Sequence, residues 1–310
     1  MRVDLPIHYY NPELTIEWLR GHCLLKSGYT RLLKIDRSII RKPHSEFVIP
    51  LSLFDRDLHD HTGLTRNDPV HWRERYYESL LANISRLDDL QCDVCVEIFI
   101  DPELAEFVVS DIQDERVNFH VMAESSVGAT GMFWRFMLAD IMPGRTCQTA
   151  VEMDIDLDWR IFWAMLTNNS PVSLSFYSRG EDALEVCPFT KAEKFTSICA
   201  GLFSYRLADV DFNVSEAIAR YWYYCNVLLA ITEPQNSFNR ALNGHSNGFG
   251  NTWNFYGNDE RFLCKVFYYH LKRKGALNFL TKQEYRSAPL LAELADMQFT
   301  REHGSKVIYV

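Results

Sequence analysis

Short, nearly unbroken apolar runs alternate along the chain with apolar stripes at helical spacing. Phe47-Val-Ile-Pro-Leu-Ser-Leu-Phe54 reads as a buried strand. Asp68-Pro69 is a helix start, the Asp capping and the Pro in the first turn, and Tyr77, Leu80, Leu81, Ile84 and Leu87 keep helical spacing to Leu90. The spacing then predicts a second strand from Asp93 to Ile100 and, after Asp101-Pro102, a short helix to about Ile112. Val117-Asn-Phe-His-Val-Met122 is a third strand, and Thr130 is set to cap a helix through Asp140 that buries Met132, Phe133, Phe136 and Met137. A fourth strand runs from Val151 to Trp159. Strands separated by helices in this way predict an α/β fold with a mainly parallel sheet flanked by helices, whose ligands sit at the carboxyl ends of the strands.

The fourth strand carries the chemistry. Val-Glu-Met-Asp-Ile-Asp-Leu-Asp-Trp alternates without a slip, so an extended chain would put Glu152, Asp154, Asp156 and Asp158 on one face and Val151, Met153, Ile155 and Leu157 on the other. Carboxylates two residues apart on a strand lie roughly 6–7 Å from each other and raise the cost of ionising their neighbours. A hard divalent cation, Mg²⁺ or Mn²⁺, resolves that conflict while keeping part of its shell for water and phosphate. A half-exposed strand with an acidic face in solvent is the other reading of this segment. Farther on, Asn213 and Glu216 form a capping box for a helix to about Ala230. Asn236 to Asn258, rich in Asn and Gly, reads as a functional loop, and Asp259-Glu260 opens a helix that buries Phe262, Leu263, Val266 and Phe267.

At 310 residues, 47% hydrophobic and 14% aromatic, the chain is globular, and its net charge of -9 argues against general nucleic-acid binding. A basic opening over residues 1–45 precedes the domain as an extension, and residues 271–310 follow as a tail. The first residues show no secretory pattern, and the longest apolar stretch, Trp222 to Thr232, falls short of the ~20 residues that span a bilayer. A cytoplasmic protein without a membrane span is expected, its eight scattered cysteines reduced. Cys92 and Cys95 have half a zinc spacing but no second pair, and His59-Asp-His61 reads as surface.

The order of these parts resembles a GT-A-type nucleotide-sugar glycosyltransferase, a family with a Rossmann-like nucleotide-binding half and a strand ending in Asp-x-Asp. The matching triplet is Asp154-Ile155-Asp156, with Asp156-Leu157-Asp158 overlapping it. Phe133-Trp-Arg-Phe-Met-Leu-Ala-Asp140 looks like the family's Arg-Phe-x-x-x-x-Asp stretch. Ala200-Gly201-Leu202-Phe203 resembles the small-residue turn on the acceptor side, and Tyr256-Gly-Asn-Asp-Glu-Arg-Phe-Leu263 the helix start that carries an acid toward the acceptor. The resemblance spans roughly residues 46–270 and implies a GT-A-like domain with a C-terminal helical acceptor-side region.

It further implies a metal-dependent transferase that moves a sugar from a nucleoside-diphosphate sugar to a carbohydrate-type acceptor. Asp154, Asp156 or Asp158 would hold Mn²⁺ or Mg²⁺, with His245 a third ligand, although the fuller His-x-x-Gly-x-x-Lys pattern is missing around it. Pro50, Leu51 and Ser52 on the first strand and Asp101 after the second would flank the nucleotide; Asp before Pro is equally a turn starter. Arg135 is a second cation for phosphate or for orienting Asp156, or an ordinary ion pair between helix and sheet. Asp259, then Glu260, is the candidate base, though acids at a helix start also cap it. Two other classes compete: an aspartate-nucleophile phosphatase or phosphotransferase, in which the motif usually opens the domain, and a GT-A-like binding or scaffold protein without turnover.

Overall fold

The computed structural model describes residues 14–54, 76–142, 149–167, 174–178, 185–186, 193–195, 198–228, 259, 262–275 and 277–280. Two short helices, α1 (Ile16–His22) and α2 (Ser27–Arg31), lead into strand β1 (Ile35–Ile39). Then come β2 (Phe47–Leu53), α3 (Glu78–Ile84), β3 (Val94–Ile100), α4 (Pro102–Asp111) and β4 (Val117–Met122). A 3-10 segment, Gly128–Met137, runs into α5 (Leu138–Ile141), followed by β5 (Thr149–Met153) and α6 (Trp159–Thr167). The rest comprises β6 (Leu174–Ser178), the small pair β7 (Glu185–Val186) and β8 (Glu193–Phe195), β9 (Ile198–Arg206), α7 (Val214–Tyr223), α8 (Tyr268–Lys274) and β10 (Leu277–Leu280).

Eight strands form one mixed sheet in the order β1-β4-β3-β2-β5-β9-β6-β10. The block β4-β3-β2-β5 is parallel, as is β6 with β10, while β1 and β9 run antiparallel to their neighbours. The expected mainly parallel sheet flanked by helices is thus present in the centre, an arrangement compatible with a Rossmann-like fold. The residues ahead of position 46 supply its edge strand. Helices cover both faces: α3, α4 and α6 pack with Leu80, Val108 and Phe162 against Ile49, Leu51 and Ile98, while α7 and the 3-10 segment pack with Trp222, Phe133 and Phe136 against Val48, Phe99 and Phe203. Strand β3, Val-Cys-Val-Glu-Ile-Phe-Ile, is buried along its whole length, as expected of a parallel strand covered on both sides.

Several boundaries differ from the pattern. The start of the helix expected from Asp68, and the loop 236–258, lie outside the described residues. The segment expected to begin at Thr130 begins at Gly128 and is wound as 3-10 helix for ten residues. Its entry is held by Ser126 Oγ, which accepts from Gly131 N at 3.0 Å, and by Thr130 Oγ1, which accepts from Val127 N at 2.9 Å. The largest difference is the acidic strand. It stops at Met153, and the chain then turns, with Leu157 N donating to Asp154 O.

Candidate functional site

The parallel block reverses its order between β2 and β5: from β2 the chain builds outward through β3 and β4, then returns to add β5 on the other side. Ligands of doubly wound sheets bind at the carboxyl ends of the strands at such a switch point. Here the two strands separate there. They pair only at Phe47 with Thr149 and Val48 with Ala150, although β2 continues to Leu53 and β5 to Met153. Pro50 supplies a reason. Phe47 N bonds Asp93 O on the β3 side and Glu46 O accepts from Thr149 N on the β5 side, so the even-numbered backbone groups of β2 face β5. Pro50 is one of them and has no N–H to give.

Across this opening lies Arg135, a buried guanidinium from the 3-10 segment. Its backbone N donates to Ser52 Oγ at 3.0 Å, which locks it to the end of β2. Nη1 lies 3.2 Å from Asp154 Oδ1, Nη2 3.1 Å from Asp259 Oδ2, and Nε 3.6 Å from Glu152 Oε2. Three carboxylates from β5, the turn after it and the C-terminal region therefore surround one cation. Burial would lower the pKa of Arg135, but Asp154, Glu152 and Asp259 outweigh it and the guanidinium is held more firmly protonated than usual. Glu152 is fully buried, and among the described residues neither of its oxygens has a hydrogen-bond partner. Burial, only partly opposed by Arg135, pushes its carboxyl up to about 8. The buried hydroxyl of Tyr205 also lacks a hydrogen-bond partner among the described residues, and burial, then Glu152, raises its pKa well above the ordinary phenol value.

Asp154 is the open member, with 45% of its side chain exposed. Its placement depends on Gly201, opposite it on β9, whose O accepts from Asp154 N at 3.2 Å. A Cβ on Gly201 would fall 2.1 Å from Asp154 Cγ, so only glycine leaves room for the carboxylate to lie back toward Arg135. The resemblance gave Gly201 to the acceptor side; the geometry makes it the floor under Asp154.

The rest of the acidic run corrects the single acidic face. Glu152 faces the aromatic core around Phe203 and Tyr205 while Val151 and Met153 pack on the opposite face, so alternation holds inside β5. Past Asp154 it is lost, because Asn83 Nδ2 from α3 donates to Ile155 O at 3.0 Å and to Leu157 O at 2.8 Å and pins a turn. Asp158 leaves the site altogether. It caps α6 through Arg160 N and pairs with Arg160 at 2.6 Å and Arg86 at 3.6 Å. Burial would raise its pKa, but these arginines bring it below the ordinary carboxylate range.

Among the other expected site residues, Pro50 and Leu51 are buried in β2, and Leu51 packs in the core. Asp101 is buried at the end of β3, its Oδ1 accepting from Glu103 N at 3.2 Å and its Oδ2 from Ser126 N at 2.9 Å, the bonds of a helix cap and a loop tie. Glu260 and His245 lie outside the described residues. Among the described residues no group of three or more His, Cys, Asp or Glu is arranged to hold a metal ion. Asp154 at the strand end and Asp156 in the turn after it are both partly exposed carboxylates, hard oxygen donors. Oxygen donors are the kind that Mg²⁺ and Mn²⁺ take, with most of the shell left to water and phosphate. Sequence reasoning missed Glu152 as a member of the site, although its place in the alternating run was a visible signal. It also missed Tyr205 and Asn83, which no local pattern marks. Compared with models of known protein families and with curated proteins, the chain matches none.

Proposed function

We propose that the protein is a metal-dependent, GT-A-like glycosyltransferase that moves a sugar from a nucleoside-diphosphate donor to a carbohydrate-type acceptor. The observation that carries this reading is the junction at Arg135. One buried guanidinium joins Asp154, the open acid at the strand end, to Asp259 from the far side of the chain, at the point where a doubly wound sheet opens for a ligand. Asp154 and Asp156 would hold Mn²⁺ or Mg²⁺, which when bound supplies Lewis-acid stabilisation of the departing diphosphate. Arg135 orients Asp154 and keeps a fixed positive charge beside the phosphates. Ser52 holds Arg135 in register with β2. Asp259, buried in this structure, fixes the second side of the guanidinium, and in this reading it is the carboxylate that would take the acceptor's proton.

Calorimetric titration with UDP, GDP and CMP, in Mn²⁺ and in EDTA, tests the reading. Metal-dependent binding of one nucleotide, abolished in Asp154→Ala, is expected; no binding of any of them by folded protein would end it. One alternative is a GT-A-like binding or scaffold protein without turnover. That alternative is distinguished by nucleotide binding that is indifferent to metal and to Asp154→Ala.

A further inference from the structure

Leu24 and Leu25, between α1 and α2, are 64% and 46% exposed, two adjacent leucines among the most open large apolar side chains of the described residues. The fold holds them out. Cys23 beside them is buried and its carbonyl accepts from Arg220 of α7, which ties down the backbone just ahead of the leucines. The elements on either side of them, α1 and α2, and the end of α7 carry half-buried aromatic rings. Trp18 stacks on His22 at 4.5 Å and meets Tyr224 edge-on at 5.7 Å, and Lys26 lies over the rings of Tyr29 and Tyr223 at 5.8 and 5.3 Å. Lys26 and Lys34 are exposed on the same segment. Arg20 and Arg31 add positive charge, each paired with one acid, Glu216 and Glu124.

This tip stands at the carboxyl end of the sheet. Ile35 opens β1 opposite Met122, the last residue of β4; Ala123 N donates to Lys34 O at 2.8 Å; and Trp134 Nε1 donates to Leu32 O at 2.9 Å. Trp134 directly precedes Arg135, so the segment bearing the leucines is anchored one residue from the arginine of the site.

We infer that residues 18–34 form a docking surface for a lipid bilayer, the two leucines entering the acyl boundary while Lys26, Lys34 and the Trp and Tyr rings meet the headgroups. Exposed apolar side chains rimmed by cations and amphipathic aromatics match the layered chemistry of that boundary. The net charge of -9 would itself repel an anionic surface, so binding has to come from this local patch. That the surface presents a membrane-borne acceptor to the site rests on the transferase reading; the docking itself does not.

The test is sedimentation of the full chain with phosphatidylcholine vesicles, with and without phosphatidylglycerol, in the absence of nucleotide and metal. The wild type is expected to bind both, more tightly with phosphatidylglycerol. Leu24→Ser/Leu25→Ser, with unchanged melting and circular dichroism, should weaken binding to both by about tenfold or more. Lys26→Glu/Lys34→Glu should remove only the preference for phosphatidylglycerol, and Phe107→Ser, an exposed apolar residue on α4, should change nothing. Failure of the wild type to bind either vesicle overturns the inference, as does unchanged binding by the leucine variant. So does self-association in light scattering that the leucine variant abolishes without any vesicle binding, which would give the patch to a second copy of the chain. None of these outcomes bears on the nucleotide titration, so the docking surface and the transferase reading fail separately.

Discussion

Two buried polar clusters share one face of the sheet and are built on opposite principles. On β1, β3 and β4, Glu97, Asn118 and His120 form a closed network. His120 Nε2 lies 2.7 Å from Glu97 Oε2 and His120 Nδ1 2.8 Å from Ser38 Oγ, while Asn118 donates to Glu97 Oε1 at 2.9 Å and to Lys42 O at 2.7 Å and accepts from the N–H groups of Arg41 and Lys42. This network straps the segment after β1 across the sheet. Around Arg135, by contrast, Glu152 and the Tyr205 hydroxyl are buried without hydrogen-bond partners among the described residues, and Asp154 opens outward. A satisfied network specifies a fold, whereas buried polar groups left unsatisfied are the kind of local inconsistency found at functional sites.

The contrast is broken most forcefully at its cation. Arg135→Met removes the guanidinium that Glu152, Asp154 and Asp259 share and takes its counter-charge from the buried Asp259. A stability loss of about 3–5 kcal/mol is expected in urea unfolding. A loss below about 1 kcal/mol would mean that the three carboxylates are not held there together.

Glu152 provides the next test, through pH. Its carboxyl is raised from 4.5 to about 8 in the folded protein. Between those values the unfolded chain has released the proton that the folded chain still holds, so raising the pH favours unfolding. Stability is expected to fall from about pH 4.5 to about pH 8 and to level off above. The guanidinium 3.6 Å away already opposes that rise, so the folded value includes its attraction. Glu152→Gln should flatten this slope in denaturation curves taken across the range.

The satisfied cluster should respond in stability alone. His120→Phe leaves Glu97 and Ser38 each short of a partner, an expected cost of about 1–3 kcal/mol, with nucleotide binding unchanged. Gly201→Ala should do the reverse. Its new methyl drives Asp154 away from Arg135 for about 1–3 kcal/mol of strain, and metal-dependent nucleotide binding measured by calorimetry should drop far more than stability does.

What could be read from the sequence was local. Asp101-Pro102 marks the start of α4 and Asn213 the start of α7, and Asn213 Oδ1 indeed accepts from Glu216 N at 2.6 Å. The central strands declared themselves as apolar runs, and Asp154 stood out by its place in an alternating one. The missing information was nonlocal. Alternation does not say where a strand ends, and β5 ends because of Asn83, which is distant in sequence and contacts the turn only after folding. The room that Gly201 makes for Asp154, and the meeting of Arg135 with Asp259, likewise exist only across strands. Pro50 carried a signal that the apolar run obscured: a proline inside a central strand requires that one ladder be interrupted, and the break it marks is the opening of the site.

The mildest change separates the acids of the run from one another. If all four shared a face, Asp158→Asn would strip a charge from the same site as Asp154→Ala and weaken a bound cation. In the structure Asp158 faces Arg160 and Arg86 and caps α6, and asparagine caps a helix about as well as aspartate. The expected cost is about 1 kcal/mol or less, from the lost ion pairs, with no change in metal-dependent nucleotide binding. Calorimetry on Asp154→Ala and Asp158→Asn side by side decides the matter. Equal losses of binding would restore the continuous acidic face and move the site down the turn, whereas a loss confined to Asp154→Ala assigns ligand chemistry to the strand end that Arg135 and Gly201 hold in place.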